Sequence, residues 1–239
     1  METGLTPTRL YMVLQKKFGV LNWWPMDKNY HMMNNSDPRF EIIVGAVLTQ
    51  NTAWSNVEKA LDNLKLDKAL DVDSIMDMTL EKLEELVRPS GFFKQKAKRL
   101  KNLVLYLKSK YNGDLDCFFN RDFYTLREEL LSLSGIGPET ADSILLYAGG
   151  KPVFVVDAYT KRVCERLPVV GVNDVSSYDT VQRVFQYDLS KNFSDEKLTM
   201  VYKELHALIV ELAKKYCKKK PLCSVCPLNN KCLFKKNLF

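Results

Sequence analysis

Long apolar runs are missing from this 239-residue chain. None reaches the roughly 18 residues that a membrane-spanning helix needs. The longest stretch, Ile144 to Val156, is interrupted by Gly149, Gly150, Lys151 and Pro152. The N-terminus, METGLTPTRLYMVLQKKFG, lacks the basic start, apolar middle and small-residue cleavage site of a secretory signal. A soluble intracellular protein is therefore expected. Glycine and proline are sparse, at ten and nine residues, which excludes collagen-like and low-complexity chains. Strand-forming segments are nearly absent: only PVFVV (152–156) resembles one, and it has no evident pairing partner. No repeat of solenoid period is present. What remains is an ordinary globular mixture, 46% hydrophobic and 27% charged, which is incompatible with a mostly disordered chain. The length fits one or two domains.

The net charge of +6 is unevenly placed. Residues 211–239 hold eight lysines (214, 215, 218, 219, 220, 231, 235 and 236) against one acid, Glu211, so this segment carries +7 and the remainder about −1. A localised basic patch suits a polyanionic partner, although a solvated tail would have the same composition.

Six cysteines are present. Cys117 and Cys164 stand alone, and Cys164 sits among apolar neighbours as a small core residue would. The other four, Cys217, Cys223, Cys226 and Cys232, follow the spacing C-x5-C-x2-C-x5-C. Four cysteines within 16 residues and no secretory signal point to one metal site rather than to disulfides. Both zinc and an iron–sulfur cluster take four thiolates. The loop also contains Pro221 and Pro227 and has no core of its own, so the metal would be what orders it. Lys218, Lys219 and Lys220 lie between the first two cysteines, where a rigid loop would present them to phosphates.

Helical periodicity dominates the rest and predicts an all-α fold. Residues 42–48 (IIVGAVL) read as a buried helix. Trp54, Val57, Leu61 and Leu64 form an apolar stripe, as do Leu80, Leu83 and Val87. Ala97, Leu100, Val104, Leu107 and Tyr111 form another, opposite Lys94, Lys98, Lys101 and Lys108. Leu126, Leu130 and Leu133 mark a further helix, Ala141 to Ala148 the next, and Val201 to Leu212 a long one before the cysteine loop. Between two of these lies Gly135-Ile136-Gly137, too short for anything but a hairpin. The helix after it opens at Pro138, a favoured first-turn residue, so its N-terminus offers N–H groups to an anion. A plain helix–helix connection would look similar. Downstream, Asp157 follows the apolar PVFVV run and precedes a helical stretch. It reads either as a helix N-cap or as a carboxylate tuned by a hydrophobic wall.

Three features coincide: GIGPETAD, VVDAYTKR and the C-terminal four-cysteine loop. Together they resemble the helix-hairpin-helix DNA glycosylases of the endonuclease III superfamily, over roughly residues 20–235. The resemblance implies two helical domains flanking a DNA-binding cleft. Residues 31–150 would form a six-helix barrel domain carrying the hairpin, and residues 1–30 with 151–239 a second helical domain bearing the cluster loop (211–239). It implies a 4Fe–4S cluster on Cys217, Cys223, Cys226 and Cys232, with zinc as the alternative because the first gap is five residues where endonuclease III usually has six. The partner implied is double-stranded DNA containing a damaged base, and a monomeric, nucleoid-associated protein of prokaryotic type is expected. Asp157 becomes the catalytic aspartate, whose charge would stabilise the oxocarbenium-like state of the sugar and orient or deprotonate water.

Glu139 stands where bifunctional members place the Schiff-base lysine. The resemblance therefore implies a monofunctional enzyme that leaves an abasic site without strong lyase activity. FEIIVGAVLTQNTAW and VRPSGFFKQKAKRL resemble the 3-methyladenine DNA glycosylase III branch. By that likeness Trp23, Trp24, Pro25 and Trp54 line the base pocket, although core packing is the commoner fate of tryptophan. That branch lacks the four cysteines, and its pocket lysine aligns here with Leu208. Gln50 matches the residue that fills the gap left by a flipped nucleotide; Gly135, Ile136, Gly137, Lys218, Lys219 and Lys220 complete the DNA-contact set. His206 reads as a hydrogen-bonded core residue. The function expected is removal of an alkylated purine such as 3-methyladenine. The alternatives are oxidised or deaminated pyrimidines with abasic-site cleavage, and a non-catalytic lesion-binding module.

Overall fold

The computed structural model describes residues 4–232 and Phe234. Lys235 and Lys236 of the basic segment lie outside the described residues. The described chain is all-α. Its helices are α1 Pro7–Phe18, α2 Lys28–Asn34, α3 Pro38–Leu48, α4 Trp54–Leu66, α5 Val72–Asp77, α6 Leu80–Val87, α7 Phe93–Tyr111, α8 Leu115–Phe119, α9 Phe123–Ser132, α10 Pro138–Ser143, α11 Ala158–Arg166, α12 Tyr178–Asn192 and α13 Asp195–Lys215. Among the described residues there is no β-strand, only an isolated bridge between Leu5 and Val169. No described helix is long and apolar enough to cross a membrane.

Most helices begin where the sequence supplies a short polar side chain. Thr6, Asp27, Asp37, Asp71, Thr79, Asp114, Asp122, Asp157 and Ser177 each accept a hydrogen bond from a backbone N–H in the first turn they precede. Each such cap satisfies a donor that the helix cannot use internally, stabilising it by about 1 kcal/mol. This punctuation allows short helices such as α5 and α8 to exist in a packed chain.

The chain divides into two compact units, one formed by the segments up to Trp23 and from Pro152 onward, the other by Trp24–Lys151. In the Trp24–Lys151 unit α3 is buried on every side, from Phe40 to Leu48. This is the structural counterpart of its all-round apolar sequence. Lys96 of α7 is almost fully buried, 1% exposed, and donates from Nζ to Leu48 O at 2.8 Å and Ser90 O at 2.6 Å. It thereby satisfies a carbonyl at the C-terminal end of α3. Burial, with a smaller contribution from Arg99, brings its pKa down to about 8.

In the other unit α13 packs against both α1 and α11. Glu204 of α13 accepts N–H bonds from Leu21 at 3.0 Å and Asn22 at 3.1 Å, tying the N-terminal segment to the long helix. The strand-like run Val153–Val156 is fully buried but forms no strand. Its hydrogen bonds come from side chains instead. Gln186 Oε1 accepts from Phe154 N at 2.9 Å, and Gln182 Nε2 donates to Phe154 O at 2.7 Å. Two glutamines four residues apart share one face of α12, so the helix edge takes the place of a neighbouring strand and meets the buried backbone's requirement for partners.

Candidate active site and nucleic-acid interface

The hairpin joins α9 to α10. Gly135 has φ +85°, a conformation that a residue with Cβ adopts only at a cost. Ile136 is 4% exposed and plugs the hairpin into the core, while Gly135 and Gly137 remain exposed. Below the turn, Arg127 of α9 holds Asp142 of α10 in a fork, Nε to Oδ1 at 2.7 Å and Nη2 to Oδ2 at 3.1 Å, with Asp142 fully buried. Glu139 is exposed on the first turn of α10. The helix then widens into a π-helical segment, Ile144–Ala148, a feature that recurs at functional sites.

Gln50 lies in the turn after α3, not within a helix. Its amide is held at both ends. Nε2 donates to Gly135 O at 2.9 Å and to Thr140 Oγ1 at 2.9 Å, and Oε1 accepts from Arg99 Nη1. The hairpin residues and Gln50 named from the sequence thus converge on one spot.

Trp24 is 8% exposed, and its ring meets Trp54 edge-on at 5.3 Å and Tyr147 at 5.2 Å. It also lies against Gly45 of α3, where a Cβ would stand 3.1 Å from its ring. Trp24 is therefore a packed member of an aromatic cluster. Tyr147 had no sequence signal beyond an apolar position; the π-helical segment turns it toward Trp24. Trp54 is half-buried, and with Pro25 it lines an open groove of about 840 Å³ that also includes Asp27, Glu41, Glu58 and Lys65. Trp23 is half-buried.

In the other unit, Asp157 ends the buried run and caps α11, its Oδ1 accepting from Thr160 N at 2.7 Å. Its Oδ2 lies 3.6 Å from His206 Nε2 of α13. Both residues are buried. Burial pushes the carboxyl pKa up, but His206 and the Thr160 N–H outweigh it and hold Asp157 below the usual carboxylate range. The sequence reading placed His206 in the core; the structure adds that it faces this carboxylate. Cys164, also buried, has its thiol pushed up to about 12 by burial and by Asp157. Leu208 is fully buried, and Cys117 is exposed.

α11 also reaches the cysteine loop. Arg162 Nε donates to Cys217 O at 2.8 Å, and Arg166 Nη1 donates to Lys218 O at 2.7 Å and lies 3.4 Å from Cys217 Sγ. Cys217, Cys223, Cys226 and Cys232 all line one small cavity of about 30 Å³, beside Arg166 and Phe234. The sulfurs are not drawn together as ligands: among the described residues no three His, Cys, Asp or Glu side chains are posed to hold a metal ion. Cys232 Sγ instead donates to Arg166 O at 3.1 Å, as a thiol does. Four sulfur donors around one enclosed space, with a guanidinium beside them to offset charge, still fit a four-thiolate centre. Lys218, Lys219 and Lys220 are exposed on the loop.

The family model described as "HhH-GPD superfamily base excision DNA repair protein" matches residues 44–188. The chain belongs to this family. The HhH-GPD match begins within α3, takes in the hairpin and Asp157, and ends before the cysteine loop. A Methanocaldococcus jannaschii protein named "Putative DNA repair glycosylase MJ1434" is 45% identical, with 95% of this chain and 96% of that protein covered. Among solved structures, H. pylori 3-methyladenine DNA glycosylase (MagIII) bound to 1,N6-ethenoadenine is 30% identical with a TM-score of 0.72, covering 88% of this chain and 98% of that one. A non-covalent Endonuclease III–DNA complex is 26% identical with a TM-score of 0.74, covering 98% of each chain. The HhH-GPD chain is thus similar to both branches whose motifs its sequence combines.

Proposed function

We propose that this HhH-GPD protein is a monofunctional DNA glycosylase that hydrolyses the N-glycosidic bond of an alkylated purine, 3-methyladenine or a close analogue. The observation that carries the reading is Asp157: a buried carboxylate kept ionised at the N-terminus of α11. Breaking the bond builds positive charge on the deoxyribose. A fixed anion in a water-poor site stabilises that charge far better than solvent does, and its basicity serves to orient or deprotonate water. A 3-alkylated purine is cationic and leaves readily, so no strong general acid is required. Trp54, half-exposed at its groove, offers the kind of ring face that attracts a cation by about 0.5–2 kcal/mol. The likeness to the H. pylori enzyme supports this substrate class.

Glu139 carries the monofunctional part of the reading. A carboxylate cannot form a Schiff base. Lys96 has the lowered pKa that such chemistry favours, but it is buried and committed to two carbonyls. Borohydride added during reaction with an abasic duplex is expected to trap no protein–DNA adduct above background, while free base is released from a methylated duplex. A strong covalent adduct would overturn the monofunctional assignment.

Cys217, Cys223, Cys226 and Cys232 would hold a 4Fe–4S cluster. Its contribution is folding energy for a loop without a core, and through that loop the display of Lys218–Lys220 to phosphates. Purified protein is expected to contain iron in roughly fourfold molar amount, with visible charge-transfer absorbance. Cys226→Ser should lose both. A colourless protein with stoichiometric zinc would reassign the centre and leave the glycosylase reading standing.

A further inference from the structure

We propose that His206 is a positioning residue for base excision: from α13 its Nε2, 3.6 Å from Oδ2, fixes the direction in which that oxygen of Asp157 points. The inference rests on Asp157 being the catalytic carboxylate. The two oxygens of Asp157 have different partners. Oδ1 is occupied by the Thr160 N–H, which is all that an N-cap requires. Oδ2 faces His206 Nε2 at 3.6 Å, beyond a direct hydrogen bond but well within ion-pair range. The two groups come from different helices, α11 and α13, which pack together.

An apolar side chain would fill that position on α13 as Leu205, Leu208 and Ile209 do around it. A histidine there brings a ring nitrogen to a buried carboxylate, and its presence lowers the pKa of that carboxyl. The other titratable groups nearby are differently engaged. Cys164 of α11 is neutral, with its thiol pushed up to about 12. Tyr178 of α12 presents its hydroxyl 3.5 Å from Val156 N. On α13, Glu204 is turned onto the backbone of Leu21 and Asn22, and Lys203 has its pKa lowered by burial. Of these groups, His206 is the one placed within 4 Å of Oδ2.

The test compares wild type with His206→Phe, His206→Gln and, as control, Asp157→Asn. Single-turnover release of 3-methyladenine from a methylated duplex is followed across pH, and the Asp157 carboxyl is titrated by carbon NMR in the free proteins. Loss of the imidazole is expected to lower the single-turnover rate about tenfold even at neutral pH, where a carboxyl moved up by about one unit is still ionised, because Oδ2 loses its fixed direction. The acid limb and the Asp157 midpoint should both move about one unit upward. His206→Gln, which restores a polar N–H, should fall between, and it carries the comparison if the Phe variant does not fold. An unmoved Asp157 midpoint overturns the inference whatever the activity. If Asp157→Asn is inactive while both His206 variants match wild type, His206 is merely structural and the catalytic reading survives. If Asp157→Asn releases base normally, the catalytic reading itself fails.

Discussion

Replacing Asp157 with asparagine is expected to lower base release by about 10²–10⁴-fold while leaving the fold and DNA binding intact. The reason lies in the double duty of this side chain. As an N-cap, its Oδ1 accepts the Thr160 N–H, and asparagine or serine performs that task about as well. As an anion it has no neutral substitute. Asp157→Asn and Asp157→Ser therefore separate the roles: both keep α11 capped, and both remove the charge. Thermal unfolding within a few degrees of wild type, with single-turnover release collapsed in both variants, is the expected pair of results. Release surviving in the serine variant would mean that Asp157 only terminates a helix.

The second large effect concerns the hairpin. Arg127→Met is expected to destabilise the protein by about 3–5 kcal/mol, read as a lower urea midpoint at an unchanged slope. Asp142 is fully buried, so losing the guanidinium removes the opposite charge beside a carboxylate that water cannot reach. Asp142→Asn should cost less. The side chain of Arg127 is 23% exposed and can recruit water when its partner becomes neutral. This asymmetry distinguishes a buried charge pair from a packing contact, for which the two replacements would be comparable. Because the pair joins α9 to α10 beneath Gly135–Gly137, the Arg127 variant should also bind undamaged duplex more weakly.

Local grammar was the legible part of this molecule. The Trp54–Leu64 stripe, the all-apolar 42–48 run, Pro138 at a helix start and the long stripe before Cys217 all correspond to helices, because each rests on a period or a cap that is short in sequence. PVFVV was ambiguous for a physical reason. Its composition specifies extended and buried, and only the fold specifies that Gln182 and Gln186 bind its backbone. The π-helical segment that presents Tyr147 has no sequence period of its own. The candidate site shows the same division. Gln50, the hairpin glycines, Asp157 and the four cysteines could be named from motifs. The placement of Gln50 against Gly135 and Thr140, and of His206 against Asp157, depends on helix packing across long sequence separations. Trp24 shows the converse: a motif match drew attention to a residue whose ring is largely spent on Gly45, Trp54 and Tyr147.

The arginines of α11 add a physical link that the motifs do not contain. Arg162 and Arg166 bond the carbonyls of Cys217 and Lys218 from the same helix whose first turn Asp157 caps. On the proposed reading, tying the C-terminal part of α11 to the loop limits the small displacements that would cost Asp157 its aim.

The central claim is most directly tested by incubating the protein with duplexes that each carry one defined lesion, 3-methyladenine, 1,N6-ethenoadenine, uracil or thymine opposite guanine, and measuring free base and strand integrity together. The account predicts free alkylated purine and an intact abasic strand. Liberation of a pyrimidine with strand scission, or no base from any duplex, would contradict it.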